Sequence, residues 1–194
     1  MTGLRERKKD KLRADLLGAA LDLFARQGFA ETTIHQIADS VDVSPRTFLR
    51  YFATKEDVVV SWVEESTAVF LTSFLERPAG EAPDAALLAS ARAMLVHYTA
   101  KAEFYLTIER AIASSSAIRA RKLEMTSTLA EQVTAALAQR TPKADPLQLA
   151  LYPAVVFAML RTVIGVWVES EGTRPLLDLF EQAAALVTFR PVSG

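Results

Sequence analysis

The chain has 194 residues, 51% of them apolar, with 22 Lys/Arg against 23 Asp/Glu, which supplies a substantial core and excludes a disordered chain. It contains no cysteine, so disulfides, thiolate metal sites and cysteine nucleophiles are excluded, and the reading suits a reducing, cytoplasmic setting. Its two histidines, His35 and His97, lie in different segments and argue against a zinc site; nothing in the composition calls for a cofactor.

The net charge of −1 hides an asymmetry. Residues 1–55 hold ten Lys/Arg against seven Asp/Glu, a balance of +3, and the remainder carries −4. Arg5, Arg7, Lys8, Lys9, Lys11 and Arg13 form a basic arm that is either a phosphate-neutralising element or a solvated helix start. The arm has no apolar core or small-residue cleavage site and does not read as a secretory signal.

A first helix is expected from about Arg7 to Gln27, with Leu12, Leu16, Leu17, Ala20, Leu21 and Phe24 on one stripe and Gly28 closing it. Thr33 with Gln36 three residues on is a capping box that starts a second helix to about Val41. Asp42 then sits at a turn, where aspartate tolerates positive φ better than most side chains. Ser44 caps a third helix, and Pro45 at its first position supplies the right φ at no cost in hydrogen bonds. Phe48 and Phe52 repeat at four residues and face inward, which leaves Arg46, Thr47, Arg50 and Tyr51 outside. Thr54 with Asp57 opens a fourth helix, from Lys55 to about Glu76. Two short helices about ten residues apart, the second carrying this polar outer face, have the layout of a helix-turn-helix.

Residues 77–84, RPAGEAPD, concentrate two prolines and a glycine and read as a linker. Five more helical stretches follow, near 84–100, 103–113, 117–140, 146–169 and 174–188. Alternation is absent throughout, so the fold class is all-α, with about nine helices. The expected division is a helix-turn-helix DNA-binding domain over 1–57 and a larger helical ligand-binding and dimerisation domain over 58–194, with the fourth helix bridging the two. Residues 147–168 are apolar and long enough to cross a bilayer, but Gln148, Pro153 and Arg161 interrupt them. A helix buried in a core and an oligomer interface explains the same run without an arginine in lipid, so no membrane is invoked.

Several elements between residues 10 and 60 together resemble the tetracycline-repressor (TetR) type of bacterial transcriptional regulator. They are Phe24-Ala25-Arg26-Gln27-Gly28-Phe29, Thr32-Thr33-Ile34 with Ile37-Ala38, Val43-Ser44, and Phe52-Ala53-Thr54-Lys55-Glu56-Asp57. The resemblance covers about a quarter of the chain. It implies a homodimer whose third helices enter successive major grooves of a palindromic operator, and a C-terminal domain that encloses a small hydrophobic effector, releasing the repressor from DNA when it binds. It also implies base contacts by Arg46 and Thr47, the latter to a thymine methyl, and backbone contacts by Thr33, Ser44, Arg50, Tyr51 and Lys55. For Thr33 and Ser44, plain helix capping is an equal reading. Many members of the family have tyrosine where this chain has Leu49, so a phosphate-seeking hydroxyl is missing there.

The wording SPRTFLRYFATKEDV is similar to a subgroup of actinobacterial regulators thought to sense acyl-coenzyme A-like ligands, which would give the effector an anionic end. Phe70, Met94, Tyr98, Tyr105, Met125, Phe157 and Arg161 are the candidate ligand residues, chosen among aromatic, flexible and polar side chains that otherwise simply fill core. Arg161 stands out because a buried arginine needs an anion, although a place on the wet edge of its helix is the alternative. The Arg119-Ala120-Arg121-Lys122 cluster is a second candidate for an anionic end. The last two helices are expected to form the dimer interface. A small lipid- or thioester-directed enzyme and a membrane-binding helical scaffold are the competing classes. Against the enzyme, the chain shows no phosphate loop, nucleophile elbow or metal-spaced cluster.

Overall fold

A computed structural model describes residues 3–189. Nine α-helices and no strand occur among them: α1 Leu4–Gln27, α2 Ile34–Asp39, α3 Pro45–Leu49, α4 Lys55–Leu75, α5 Pro83–Ala100, α6 Ala102–Ser114, α7 Ser116–Arg140, α8 Pro146–Glu169 and α9 Leu176–Leu186. The breaks fall where the local chemistry demands. Gly28 takes φ 83° after α1, Asp42 takes φ 54° in the turn between α2 and α3, and Pro stands in the first turn of α3, α5 and α8. At Gly172, φ is 76° and a Cβ would lie 2.8 Å from Leu106 Cδ1, so a larger residue is barred by both backbone and packing.

The chain divides into two compact units. The first comprises residues up to Trp62 together with Thr107–Arg121. Its core holds Leu16, Ala20, Phe24, Ile37, Ala38, Phe48, Phe52 and Val58, joined by Ile108, Ala111, Ile112 and Ile118. The linear boundary expected after residue 57 therefore misses a contribution from the end of α6 and the start of α7. Apolar residues there complete a core that three short N-terminal helices are too small to close alone.

The second unit comprises Val63–Leu106 and the residues from Lys122 on. Helix α5 packs on α8 and α9, and α8 packs on α9. Leu149, Pro153, Val156, Phe157, Met159, Leu160, Val163, Ile164 and Trp167 of α8 are buried. Both α4 and α8 are long and apolar enough to cross a bilayer, with mean hydropathy 1.4 and 1.9. In α8 that apolarity is used for a soluble-type core on one side. The opposite side, with Leu147, Leu151, Ala154, Ala158, Arg161 and Thr162, is exposed.

Candidate nucleic-acid interface

The two short helices α2 and α3 are fixed by their caps. Thr33 Oγ1 accepts from the Gln36 backbone N–H at 3.2 Å, while the Thr33 N–H donates to Gln36 Oε1 at 2.8 Å, closing the expected capping box. Ser44 Oγ accepts from the Thr47 N–H at 3.1 Å and shares a 3.0 Å hydrogen bond with the Thr47 hydroxyl. Thr33 and Ser44 thus hold helix starts, and both stay exposed. Helices α2 and α3 pack together through Ile37, Ala38 and Phe48, each fully buried. Phe48 lies 5.6 Å from Phe52, ring centre to ring centre, which sets the inward side of α3 as the four-residue spacing requires.

The outward side is polar and basic, with one exception. Arg46 and Arg50 are exposed, Thr47 and Tyr51 partly so, and the Arg50 guanidinium lies 5.4 Å from the centre of the Tyr51 ring. Ser44, Arg46, Thr47, Leu49 and Arg50 line one concave surface of about 410 Å³. Leu49 is its apolar member, and half of that side chain is open to solvent. His35 is exposed at the start of α2.

Lys55 has partners within the chain that the sequence does not label. Its ammonium donates to the backbone carbonyls of Phe29 at 2.6 Å, Thr32 at 2.8 Å and Ala30 at 3.1 Å, and lies 4.4 Å from the Phe29 ring centre. A lysine has three N–H donors, and all are committed to the turn between α1 and α2. It holds that turn. Of the basic arm, Arg5 has no described side chain; Arg13 sits 5.1 Å from the centre of the Phe52 ring and so packs on the helix-turn-helix.

The start of α4 carries a second anchor. Asp57 Oδ2 accepts from the Thr54 N–H at 2.8 Å, and the Asp57 N–H donates to Thr54 Oγ1 at 3.2 Å. The other carboxylate oxygen, Oδ1, is bonded by Arg121 near the start of α7. Burial pushes the Asp57 carboxyl up, but the hydrogen bonds from Arg121 and Thr54 and the Arg121 charge outweigh it and leave it below the ordinary aspartate value. No local pattern signals this pairing, since its partners are 64 residues apart. Arg119 also bonds the Ala113 carbonyl, so two of the basic residues expected to offer an anion site are engaged within the first unit.

The candidate ligand residues separate in the second unit. Phe70 and Phe157 pack on each other with ring centres 5.0 Å apart, both within the core, as is Met94. Tyr98 stacks on Tyr105 at 4.0 Å, and Trp167 meets Tyr98 edge-on at 6.4 Å. Tyr105 is 1% exposed, yet its hydroxyl has no hydrogen-bond partner among the described residues. Burial first, and then the Glu65 charge, push its ionisation far above the ordinary tyrosine value, so it is a neutral phenol. Beside it, His97 Nε2 lies 3.3 Å from Glu65 Oε1, with ring centres of His97 and Tyr105 5.5 Å apart.

Met125 alone of the expected set opens onto a surface groove of about 460 Å³. The groove lies between α4 and α7 and includes Glu64, Thr67, Leu71, Glu124 and Thr128. Arg161 is exposed on α8 and does not reach the core. The helix around it was expected to be buried on most sides, but its outer face, with Leu147, Leu151, Ala154, Ala158 and Thr162, is exposed. Among the described residues no group of three or more acidic or imidazole side chains could hold a metal ion.

Comparison with known proteins agrees with this geometry. Residues 16–61 match the family described as bacterial regulatory proteins, tetR family. Over 93 residues the chain is 45% identical to the HTH-type transcriptional regulator TcmR of Streptomyces glaucescens, covering 48% of this chain but only 41% of TcmR. The fatty acid degradation regulator FadR of Bacillus halodurans has the same fold, with a TM-score of 0.67 at 18% identity over 96% of this chain and 95% of that one. FadR of Bacillus subtilis, solved with stearoyl-CoA, gives 0.69 at 17% identity over 89% of this chain and 96% of that one.

Proposed function

The chain belongs to the TetR family of bacterial regulatory proteins through its N-terminal module, and we propose that it is a ligand-responsive DNA-binding regulator, a repressor released from a palindromic operator by a small hydrophobic effector. The observation that carries this reading is the outward face of α3. Arg46, Thr47, Leu49 and Arg50 stand together on a short capped helix whose opposite side is locked by Phe48 and Phe52, which is what major-groove insertion requires. Arg46 and Thr47 are assigned to base edges, Arg50 and Tyr51 to phosphates, and Thr33 and Ser44 offer hydroxyls to the backbone while capping their helices. The family's members are regulators rather than enzymes, and no catalytic assembly is needed to account for any residue described above.

The active form is a homodimer. The exposed side of α8 presents Leu147 and Leu151 at 66% and 48% exposure beside Ala154, Ala158 and Thr162, and Leu186 at the end of α9 is 87% exposed. Exposed leucines beside small residues, with Arg161 as the one charge among them, suit a second copy of the same helices.

For the effector, the groove between α4 and α7 supports a reading other than the anionic end the resemblance suggested. Leu71, Met125 and Leu129 give it an apolar floor, and Glu64 and Glu124 stand at its rim. Two carboxylates repel an anion, so the effector is a neutral or cationic amphiphile. Stearoyl-CoA in the Bacillus subtilis protein supports a lipid-sized ligand for this fold. The cytoplasm is the compartment in which such a regulator meets DNA.

The test is competition on DNA. A duplex bound by the purified chain should survive a hundredfold excess of random-sequence DNA, with affinity falling steeply as salt rises. Loss of binding to an equal weight of random DNA would reject the reading.

A further inference from the structure

We propose that Leu49 reads a thymine methyl group in the major groove and is a specificity-determining residue of the operator contact. The inference rests on the DNA-binding reading above and adds to it a residue that the sequence treated as a gap.

Helix α3 turns by about 100° per residue, so with Phe48 fully buried the next side chain is carried away from the core. Leu49 is 50% exposed, and it is the large exposed apolar side chain of the helix-turn-helix among the described residues; the others of its kind lie from Leu75 onward. Its neighbours on the concave surface are Ser44, Arg46, Thr47 and Arg50, all hydrogen-bonding groups. A leucine among them can take no phosphate oxygen. What the major groove offers an apolar side chain is the C5 methyl of thymine, displayed beside the O4 acceptor.

The surroundings favour this occupant over a protein surface. A single leucine hemmed by two guanidiniums is far smaller than the contiguous apolar patch a protein partner needs, and the charge around it suits a polyanion. Thr47, the residue first expected to meet a thymine methyl, is partly buried and its hydroxyl is tied to Ser44 at 3.0 Å. Leu49 carries no such tie and is the more exposed of the two.

The experiment uses the full chain and duplexes it selects from a random library. Each thymine is replaced in turn, symmetrically in both half-sites, by deoxyuridine, which removes the methyl and nothing else. One position is expected to weaken wild-type binding about fourfold per half-site, the effect of withdrawing one methyl from apolar contact. In Leu49→Ala that sensitivity disappears, whereas Leu49→Met retains it and Thr47→Ser leaves it unchanged. Circular dichroism of each variant checks the fold. If no uracil position couples to Leu49, or if the coupling follows Thr47→Ser, the proposal is overturned while DNA binding stands. If the library yields no enriched duplex, the DNA-binding reading itself falls, and this proposal falls with it.

Discussion

Lys55 engages Phe29 at two points: its Nζ donates to the Phe29 carbonyl at 2.6 Å and lies 4.4 Å from the centre of the Phe29 ring. With the Thr32 and Ala30 carbonyls completing the set, one side chain from the first turn of α4 closes the turn that aims α2 and α3. The Phe29 carbonyl also accepts from the Thr32 N–H at 3.3 Å, so Lys55 adds a charged donor to a turn that is already hydrogen-bonded.

Lys55→Met is therefore expected to lower the stability of the chain by about 2 kcal/mol, the scale of hydrogen bonds to a charged donor, as read by urea denaturation. It should leave the salt dependence of DNA binding unaltered, measured at a temperature where the variant is folded. A drop of about one in the salt slope per half-site would instead identify Lys55 as a phosphate contact.

Asp57 and Arg121 tie the cap of α4 to the start of α7. The Asp57 carboxyl is held below its ordinary value, so its contribution is present above the unfolded value and is lost as pH falls through the lower folded one. Arg121→Ala should cost up to about 1 kcal/mol at neutral pH, a modest effect because the arginine is 45% exposed. The difference between wild type and variant should begin to shrink as pH falls through the ordinary aspartate range, near pH 4, and close once pH lies below the lowered folded value. A gap that does not change with pH over that fall would show that the arginine acts by packing rather than by charge.

Tyr105→Phe removes a buried hydroxyl that has no hydrogen-bond partner. The unliganded variant should be as stable as wild type or about 1 kcal/mol more stable, because an unpaired buried polar group is costly. If an effector satisfies this hydroxyl, the same variant should respond to it more weakly while binding DNA normally. A clear loss of thermal stability without ligand would show that the hydroxyl already has a partner.

Leu151→Glu on the open face of α8 should yield monomers by sedimentation at micromolar concentration and weaken operator binding at least tenfold, through loss of paired half-sites. A dimer that survives both this change and Ala158→Glu would move the interface elsewhere.

The helices were legible because their ends carry local chemistry: Thr33 with Gln36, Ser44 with Pro45 and Thr54 with Asp57 are caps that need no tertiary information. The outward face of α3 was legible for the same reason, once Phe48 and Phe52 fixed the inside. The turn-closing role of Lys55 was not legible because its partners are backbone carbonyls 23 to 26 residues away, and a carbonyl has no sequence label. Arg161 stands at the wet edge of its helix, one of the two readings open from sequence, because apolarity along α8 is shared between a core and an open face that composition does not separate. The share of α6 and α7 in the first unit was hidden because a core assembled from distant segments has no local signature.

Sequencing the DNA fragments that the purified chain retains from a random library tests the central claim most directly. The account predicts an inverted repeat whose half-sites are centred about one helical turn, roughly 34–36 Å, or a multiple of it apart, and which Arg46→Ala no longer selects. Retained fragments with no enriched repeat, or the same enrichment by Arg46→Ala, would contradict it.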